Sequence, residues 1–359
     1  MHQTETNICD VLRRAIEEQL TPLIDSDYYY LDLPYHSNVG DTLIWLGTTH
    51  FLNNISHQCL GQHSIDTFDF RPLPKNTIIL LHGGGNFGDI WRQHQEFRLK
   101  VMQQYPENPI IVLPQTVFYE SDDVFNEDVR QMNRHQHLII CARDNNSAEQ
   151  LRKHGYTGQM LTLPDMAFCI DRNILCDYKN SVTKETLLLL RKDKESPLGN
   201  LKKDFTSTHI DIKDWPDLNK SLRIALKYIK EHSANETDLF FQTEYLPERI
   251  KEGVKFISEY KDVYSTRLHV AILRLLLSMP VKMIDNSYGK NMNFYNTWLK
   301  DSELVSTPDE NEQKAIKETI IAYRQELQHQ KRRKRLRVVI YVLTILLLVM
   351  VFYFILFSV

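Results

Sequence analysis

The sequence predicts an α/β protein with two halves, each built on a parallel sheet covered by helices, and a C-terminal membrane-spanning helix. Short apolar runs of strand length alternate with longer amphipathic segments, which is typical of parallel sheets with helices on both faces. This alternation restarts after an irregular, charged stretch at 170–182. The last 22 residues, 338–359, contain no charged side chain. The length of 359 residues is ample for two cores.

Both halves follow the same plan. In the first half we expect helices over 7–22, 42–47, 90–104 and 146–154 and strands over 28–33, 77–81, 109–113, 137–142 and 161–165. In the second half we expect strands over 186–191, 238–242, 262–265 and 281–286 and helices over 218–232, 247–259 and 268–279. The predicted domains are 1–170 and 183–305, with a cleft at the carboxyl ends of both sheets.

The C-terminal segment predicts a tail anchor. A 22-residue helix spans roughly 33 Å, which is enough to cross a hydrocarbon core. The basic run 331–337 stands directly before it, and such clusters mark the cytoplasmic side. We therefore expect a charged helical stalk over 306–337, an anchor over 338–359, and a catalytic part in the cytoplasm at a bacterial inner membrane. The basic run would also attract anionic membrane lipid.

Composition excludes several function classes. The net charge of −3 gives no support for nucleic-acid binding. The five cysteines form no C-x-x-C pair, and no His-Glu-x-x-His spacing occurs among the 14 histidines. His135 and His137 are separated by two positions, which matches no helix-face pair. We therefore expect neither a metal site nor a cofactor.

A glycine-rich segment follows the strand that ends at Leu81. Four of the 12 glycines of the chain lie within six residues, at Gly83, Gly84, Gly85 and Gly88. Because glycine has no Cβ, it lets bare backbone approach a ligand, and the titratable His82 and Asp89 flank this backbone. Gly83 to Gly85 with Asn86 are therefore candidates for backbone contacts to a ligand. Gly40 and Asp41 follow the first strand in the same way.

Three interpretations of this segment compete. Its glycines satisfy G-x-G-x-x-G, but the next strand ends in Pro114-Gln115-Thr116 rather than in the acidic residue that a dinucleotide site needs. The run from His82 to Gly85 matches the oxyanion loop of esterases, but the chain has no G-x-S-x-G nucleophile motif. The third possibility is a tight turn between strand and helix that binds nothing.

A second candidate site begins at Ser265. Ser265 or Thr266 can cap the following helix, which puts Arg267 and His269 in its first turn. Positive groups there oppose the helix dipole, so a bound phosphate or carboxylate is the favourable partner. The alternative is a surface arginine and a histidine satisfied within the core.

Further charged residues follow the predicted strands. Arg143 and Arg191 each come after an apolar strand, where they face either the cleft or solvent. Asp165 and Asp193 would orient these arginines, act as bases or serve only the structure. Lys290 lies in a turn, and we expect it on the surface.

Taken together, these segments resemble the polysaccharide pyruvyl transferase family. The supporting stretches are 38–41, 82–91, 113–116, 142–144, 163–167, 190–193, 265–270 and 285–290. They occur in the order of the family and cover about 35–300. Two features depart from the family: the C-terminal anchor, and Tyr264-Ser265-Thr266, where the family often has an acidic residue before the arginine.

The resemblance implies a GT-B-like pair of Rossmann-like domains and transfer of pyruvate from phosphoenolpyruvate onto a sugar of a surface or exported polysaccharide as a ketal. It implies Arg267 and His269 as the donor-binding pair, with Arg143 and Arg191 as further anion clamps. His269 would protonate the methylene carbon or stabilise the leaving phosphate. His82 or Asp89 would act as general base, although the sequence does not decide which of these and Asp41 faces the acceptor.

Membrane anchoring would make the acceptor sugar polyprenyl-linked. Two alternatives remain open from the sequence. One is a membrane-associated GT-B-type glycosyltransferase that uses a nucleotide sugar, since it would share the cleft and the anion-binding loops. The other is an inactive, tail-anchored glycan-binding protein, which would have no turnover to lose when Arg267 or His269 is replaced.

Overall fold

The protein has a mixed α/β fold with two sheets of predominantly parallel strands, as a computed structural model shows. The structure describes residues 7–196, 204–206, 209–216, 218–326, 328–329, 332–333 and 335. Residues up to Thr307 form one compact unit, and the described residues from Pro308 onward form another. Both sheets lie in the first unit. In the second unit, residues 310–326 are helical.

The first sheet has seven strands in the described part of the chain. They are β1 (Tyr28–Leu31), β2 (Cys59–His63), β3 (Ile78–Leu81), β4 (Gly84–Gly88), β5 (Ile110–Phe118), β6 (Leu138–Ala142) and β7 (Gln159–Thr162). Their order is β2-β1-β3-β5-β6-β7, and β4 pairs with β5. All of these pairings are parallel, so the carboxyl ends of the strands meet at one edge of the sheet.

The second sheet has six described strands. They are β8 (Lys184–Leu189), β9 (Phe205–Thr206), β10 (Ile210–Lys213), β11 (Tyr260–Ser265), β12 (Val281–Met283) and β13 (Val305–Ser306). The order is β13-β12-β11-β8-β10-β9, and within it only the described pairing of β9 with β10 is antiparallel. The central strand β8 is buried from Leu187 to Leu189, which explains its run of leucines.

Helices cover the sheets. Those in the first unit are α1 (Ile8–Leu20), α2 (Val39–Leu52), α3 (Arg92–Gln104), α4 (Asp122–Met132), α5 (Asn145–Lys153), α6 (Arg172–Cys176), α7 (Leu218–Glu231), α8 (Ala234–Phe240), α9 (Leu246–Ser258), α10 (Leu268–Leu276) and α11 (Lys290–Phe294). One continuous core includes Leu43 of α2, Val254 of α9 and Ala271 of α10. This shared core joins the two sheets and fixes the approach of their loops.

Most predicted elements are confirmed, whereas β2, α4, α6 and β10 had no predicted counterpart, and two further segments differ in kind. The predicted strand over 238–242 is wrong, because Ser233 and Glu236 form a capping box that starts α8, and a π-helical turn over Phe241–Tyr245 continues it into α9. The segment Gly84–Gly88, expected as a loop, is the strand β4. Because β4 pairs with β5 beyond the part that pairs with β3, the glycine-rich segment lengthens the sheet at its carboxyl end.

The predicted membrane-spanning helix is not supported. Residues 338–359 lie outside the described residues, and none of the described helices is long and apolar enough to cross a membrane. The fold class is therefore corrected to α/β with two Rossmann-like parallel sheets and no supported C-terminal transmembrane helix. The localisation predicted from that helix, a single-pass membrane anchor, is therefore not supported either. The predicted domain boundaries stay predictions.

Candidate active site

A cavity of about 470 Å³ opens where the carboxyl ends of strands from both sheets meet. This volume is ordinary for a site that binds a small molecule. Each half contributes loops: β1 leads to the start of α2, β8 and β10 lead to charged loops, and β11 leads to α10. Its lining includes Gly40, Asp41, Arg191, Arg267, His269 and Lys290. Such crevices at strand ends are where ligands bind in α/β proteins.

A buried ion-paired group holds His269. Its Nε2 lies 3.1 Å from Oδ2 of Asp165, and Nη1 of Arg143 donates to the same oxygen over 2.6 Å. Burial by itself would raise the pKa of Asp165, but His269 and Arg143 lower it well below its usual value. Since Asp165 is therefore ionised, Nε2 of His269 carries a proton and donates. Asp165, for which the sequence left both a structural and a catalytic role open, thus orients the imidazole of His269.

The other side of the same ring lies against the first half of the chain. A Cβ added at Gly40 would lie 2.5 Å from Nδ1 of His269 and 3.0 Å from its Cβ. Only glycine leaves this space. The side chain of Asn38 caps α2 by accepting from the N–H of Gly40 over 3.0 Å. His269 is therefore fixed between Asp165 and the first turn of α2.

Arg267 stands at the N-cap of α10 and pairs with two acids. It donates to Asp214 from Nε over 2.5 Å and from Nη2 over 2.8 Å, and Nη2 also reaches Asp193 at 3.2 Å. Burial by itself would lower the pKa of Arg267, but Asp214 and Asp193 raise it, so the guanidinium is always charged. Among the described contacts, Nη1 has no partner. This nitrogen is the one that can donate to a ligand.

Arg191 is held more completely. Its Nε and Nη2 donate to Asp193 over 2.7 and 2.9 Å, and Nη1 donates to Glu195 over 2.5 Å. Burial by itself would raise the pKa of Glu195, but Lys290 and Arg191 lower it well below the ordinary value. The site therefore contains several buried ion pairs, which order the cations before a ligand arrives.

The glycine-rich segment forms one wall of the cavity. Gly85 and Asn86 line it, whereas Gly83 and Gly84 are buried behind them. A Cβ added at Gly85 would lie 2.2 Å from Nζ of Lys290, so this glycine makes room for a side chain of the second half. The backbone at Gly85 is bare, as the sequence indicated, and it lies against the ammonium of Lys290.

Both predicted bases, His82 and Asp89, lie away from the cavity. His82 is buried, and Nδ1 lies 2.5 Å from the hydroxyl of Tyr30; burial lowers the pKa of His82 to about 4. The carboxylate of Asp89 accepts from the backbone N–H groups of Glu120 and Ser121 over 2.8 to 3.0 Å. His82 and Asp89 do not line the cavity, and their assignment as bases stays a prediction.

Asp41 does line the cavity. Nδ2 of Asn38 donates to it over 2.7 Å, and Nε2 of His36 lies 3.6 Å away. Burial by itself would raise the pKa of Asp41, but His36 and His269 lower it. Asp41 is therefore a carboxylate that faces the same space as His269.

Arg143 lies directly behind the cavity. Its Nε and Nη2 donate to the hydroxyl of Thr116, and its guanidinium is fully buried. Three of the four predicted donor-binding side chains, Arg191, Arg267 and His269, thus line one cavity, and the fourth supports it through Asp165.

A second histidine beside a buried carboxylate, which the sequence did not predict, lines the cavity. Nδ1 of His94, which lines the cavity, lies 2.6 Å from Oδ1 of Asp32, and Arg98 donates to Oδ2 over 2.8 Å. Asp32 has a positive φ of 67°, a conformation that aspartate tolerates better than most residues. No sequence motif marks this group, because Asp32 lies 62 positions before His94 and 66 positions before Arg98. Glu195 and Asp214 were missed because they also pair with Lys290 and Arg267, which lie 95 and 53 positions further along the chain.

Metal binding has no support in the described part of the chain. No group of three or more histidine, cysteine, aspartate or glutamate side chains there could hold a metal ion. The acids of the cavity are instead paired with arginine, lysine and histidine.

Known proteins resemble this chain over most of its length. The family model "Polysaccharide pyruvyl transferase" matches residues 38–288, which include the cavity residues from Asn38 to His269. EpsO of Bacillus subtilis, whose name assigns pyruvyl transfer to it provisionally, is 29% identical over 297 residues, covering 80% of this chain and 91% of that protein. Pyruvyl transferase 1 of Schizosaccharomyces pombe is 25% identical over 288 residues, covering 76% of this chain and 70% of that protein.

A solved structure shares the fold. A functionally uncharacterized protein from Klebsiella pneumoniae is 20% identical and superposes with a TM-score of 0.53, covering 83% of this chain and 99% of that one. This similarity supports the fold alone.

Proposed function

The chain belongs to the polysaccharide pyruvyl transferase family, and from that membership we propose its donor and its product. The enzyme transfers pyruvyl groups onto polysaccharide. The proposed donor is phosphoenolpyruvate, and the proposed product is a ketal between pyruvate and two hydroxyls of one sugar.

One observation carries this proposal: Arg267 and His269 line a single cavity with Arg191. Phosphoenolpyruvate carries a phosphate and a carboxylate and needs two sets of cationic donors. The guanidinium of Arg267 keeps Nη1 available among the described contacts, and guanidinium groups match carboxylate and phosphate geometry. A volume of about 470 Å³ accommodates this small donor together with part of a sugar.

The first step is addition to the donor. His269 gives a proton to the methylene carbon, which becomes a methyl group, and the neighbouring carbon takes on positive character. A sugar hydroxyl forms a new C–O bond to that carbon, and its proton passes to Asp41, a carboxylate that lines the cavity. Asp165 supplies the counter-charge that orients the imidazole.

The second step closes the ketal. The bond between the same carbon and the phosphate oxygen breaks, and the electron pair leaves with the phosphate. The second hydroxyl forms the second C–O bond and releases its proton to the departing phosphate. The proton that Asp41 accepted then returns to His269, which restores both residues. The net reaction converts one phosphoenolpyruvate and one sugar with two free hydroxyls into the ketal and inorganic phosphate. Fixed cations around the phosphate stabilise the charge that develops on it.

The test uses the purified full-length chain with phosphoenolpyruvate and a panel of sugar acceptors. We expect phosphate release that depends on the acceptor and matches, mole for mole, a carboxyethylidene addition detected by mass spectrometry. Parallel incubations with nucleotide sugars cover the glycosyltransferase alternative. Consumption of a nucleotide sugar with phosphoenolpyruvate left intact would overturn the proposal.

A further inference from the structure

The cavity is too small for the whole acceptor. Its volume of about 470 Å³ accommodates the donor with part of one sugar, whereas the family acts on polysaccharide. The sugars next to the reacting one therefore lie on the protein surface beside the opening. A sugar that carries the proposed ketal has a carboxylate and a methyl group on the same carbon. A surface that binds such sugars needs cations next to apolar side chains.

Two exposed residues of the lining mark the opening. Among the described residues that line the cavity, the exposed ones are Gln93 of α3 and Leu222 of α7, which has 38% of its surface accessible. On the α3 side, the neighbouring Arg92 is already paired, because it donates to Asp128 and Glu96. The α7 side is therefore the one where unpaired cations can meet an anionic chain.

The exposed side of α7 carries three lysines. Lys220, Lys227 and Lys230 are separated by seven and then three residues, which places them on one side of the helix. All three are exposed, and in the described part of the chain their one acidic partner is Glu231, 3.9 Å from Nζ of Lys227. We call these three residues the lysine face of α7. It extends about 15 Å along the helix axis, which is long enough to contact more than one sugar.

Apolar side chains adjoin the lysine face. Leu226 is 49% exposed and directly precedes Lys227, and Leu222 lies one turn earlier, at the opening. Leucine beside lysine matches the methyl group and the carboxylate of a pyruvate ketal. An anionic lipid surface would suit the same pattern. The polysaccharide is the favoured partner because Leu222 also lines the cavity of an enzyme that acts on polysaccharide.

We propose that the lysine face of α7 binds the pyruvylated part of the polysaccharide while the next sugar occupies the cavity. This inference rests on the proposed function and deepens it, because it adds the modified chain as a second ligand. A bound chain presents its next sugar at a high effective concentration, so several transfers follow one binding event. No bond forms or breaks at the lysine face. Its contribution is electrostatic, and binding therefore weakens as salt screens the charges.

Binding is tested with a galactan that carries pyruvate ketals and with the same galactan after mild acid has removed them. The lysine-face variant of the full chain combines Lys220→Gln, Lys227→Gln and Lys230→Gln. A matched control removes three exposed lysines elsewhere and has the same net charge: Lys153→Gln, Lys261→Gln and Lys300→Gln. We expect the parent and the control to bind the pyruvylated galactan about 10-fold more tightly than the treated one. The lysine-face variant should lose this difference, and circular dichroism checks that it folds.

The distribution of product among acceptor chains gives a second readout. At low conversion of a polysaccharide acceptor, the parent should produce heavily modified chains beside unmodified ones. The lysine-face variant should spread the same number of ketals over many chains. Phosphate release with a short sugar acceptor should be equal in the two enzymes, because a single sugar in the cavity does not extend along α7.

The outcomes separate this inference from the proposed function. If the parent binds both galactans equally, or if the lysine-face variant keeps the preference, the inference is wrong and the proposed function stands. Vesicles of phosphatidylglycerol and phosphatidylcholine are the competing probe. If the parent binds these vesicles through the lysine face and does not bind the pyruvylated galactan, the surface recognises lipid and the inference is again wrong. If the parent releases no phosphate from phosphoenolpyruvate with any acceptor, the proposed function itself fails.

Discussion

Gly40 and His269, which are 229 positions apart, lie so close that a Cβ on the glycine would be 2.5 Å from Nδ1 of the imidazole. The contact joins the first turn of α2 to the first turn of α10. Because three atoms of the histidine lie within 3.0 Å of this point, including its Cβ, rotation of the ring alone does not relieve an added methyl group. Glycine at position 40 therefore defines the position of the imidazole.

Gly40→Ala should displace His269 and lower kcat by about 100-fold, since a shift of about 1 Å in a reacting group costs that much. Alanine has a higher helix propensity than glycine, and this gain partly offsets the steric clash. The free energy of unfolding should therefore fall by less than the clash alone would cause. Thr49→Ala, which changes α2 far from the ring, serves as the control. The kcat of each variant is measured and compared with that of the parent enzyme. If the kcat of Gly40→Ala equals that of Thr49→Ala, Gly40 has no positioning role.

The general plan of the fold could be predicted from the sequence because alternation of apolar strands with helices is a local pattern. It located β3, β6 and β8 and the helices α1, α7 and α9 closely. It failed at Asp238–Gln242, where Leu239 to Phe241 suggest a strand but the capping box of Ser233 sets a helix. The predicted membrane helix shows the other limit, since an apolar pattern alone does not establish one. Residues 338–359 lie outside the described part of the chain, and none of the helices described elsewhere is long and apolar enough to cross a membrane.

Residues of the cavity lining could be predicted where they lie just beyond the end of a strand. Arg191, Arg267 and His269 lie together because parallel strands end at one edge of each sheet. The sequence could not predict which of these side chains are buried or which groups they pair with, because both depend on contacts with the other half of the chain. Lys290 was expected at the surface and is buried beside Gly85, and His82 was expected near the ligand and bonds Tyr30 instead.

Asp165→Asn should lower kcat by about 10²- to 10⁴-fold while leaving the KM for the donor within a few-fold. The amide keeps the size of the side chain, but it removes the counter-charge beside His269 and leaves Arg143 without its carboxylate. Asp165 lies behind His269, so its loss should affect turnover more than binding. Steady-state kinetics with phosphoenolpyruvate as the varied substrate test this. A rise in KM with kcat retained would assign Asp165 to donor binding instead.

Arg267→Lys should raise the KM for the donor by about 10- to 100-fold, although it preserves the charge. An ammonium cannot form the paired hydrogen bonds that Nε and Nη2 make to Asp214, and it has no third nitrogen to reach a ligand. Arg223→Lys, on the exposed side of α7, is the matched control. Titration calorimetry with phosphoenolpyruvate measures the affinity directly. Unchanged affinity in the Arg267 variant would show that the guanidinium serves only the fold.

The buried His82 should make stability depend on pH. Burial lowers its pKa from 6.5 to about 4, although Asp41 and Asp32 oppose that shift. Between about pH 4 and pH 6.5 the unfolded chain binds a proton at His82 and the folded chain does not. The free energy of unfolding therefore rises with pH in this window. Full stability is present above pH 6.5, and about 3 kcal/mol is lost as the pH falls to about 4.

His82→Gln removes this titration and should flatten the pH dependence of stability in the same window. The loss of slope is partial, because burial also lowers the pKa of His36, His50 and His135. The parent and the variant are compared by urea unfolding at several pH values between about 7 and 4.5. The slope is the readout rather than the absolute stability, since the hydroxyl of Tyr30 loses its imidazole partner in the variant. Parallel pH profiles for the two proteins would mean that His82 is already protonated in the folded state, and its hydrogen bond from Tyr30 would then be excluded.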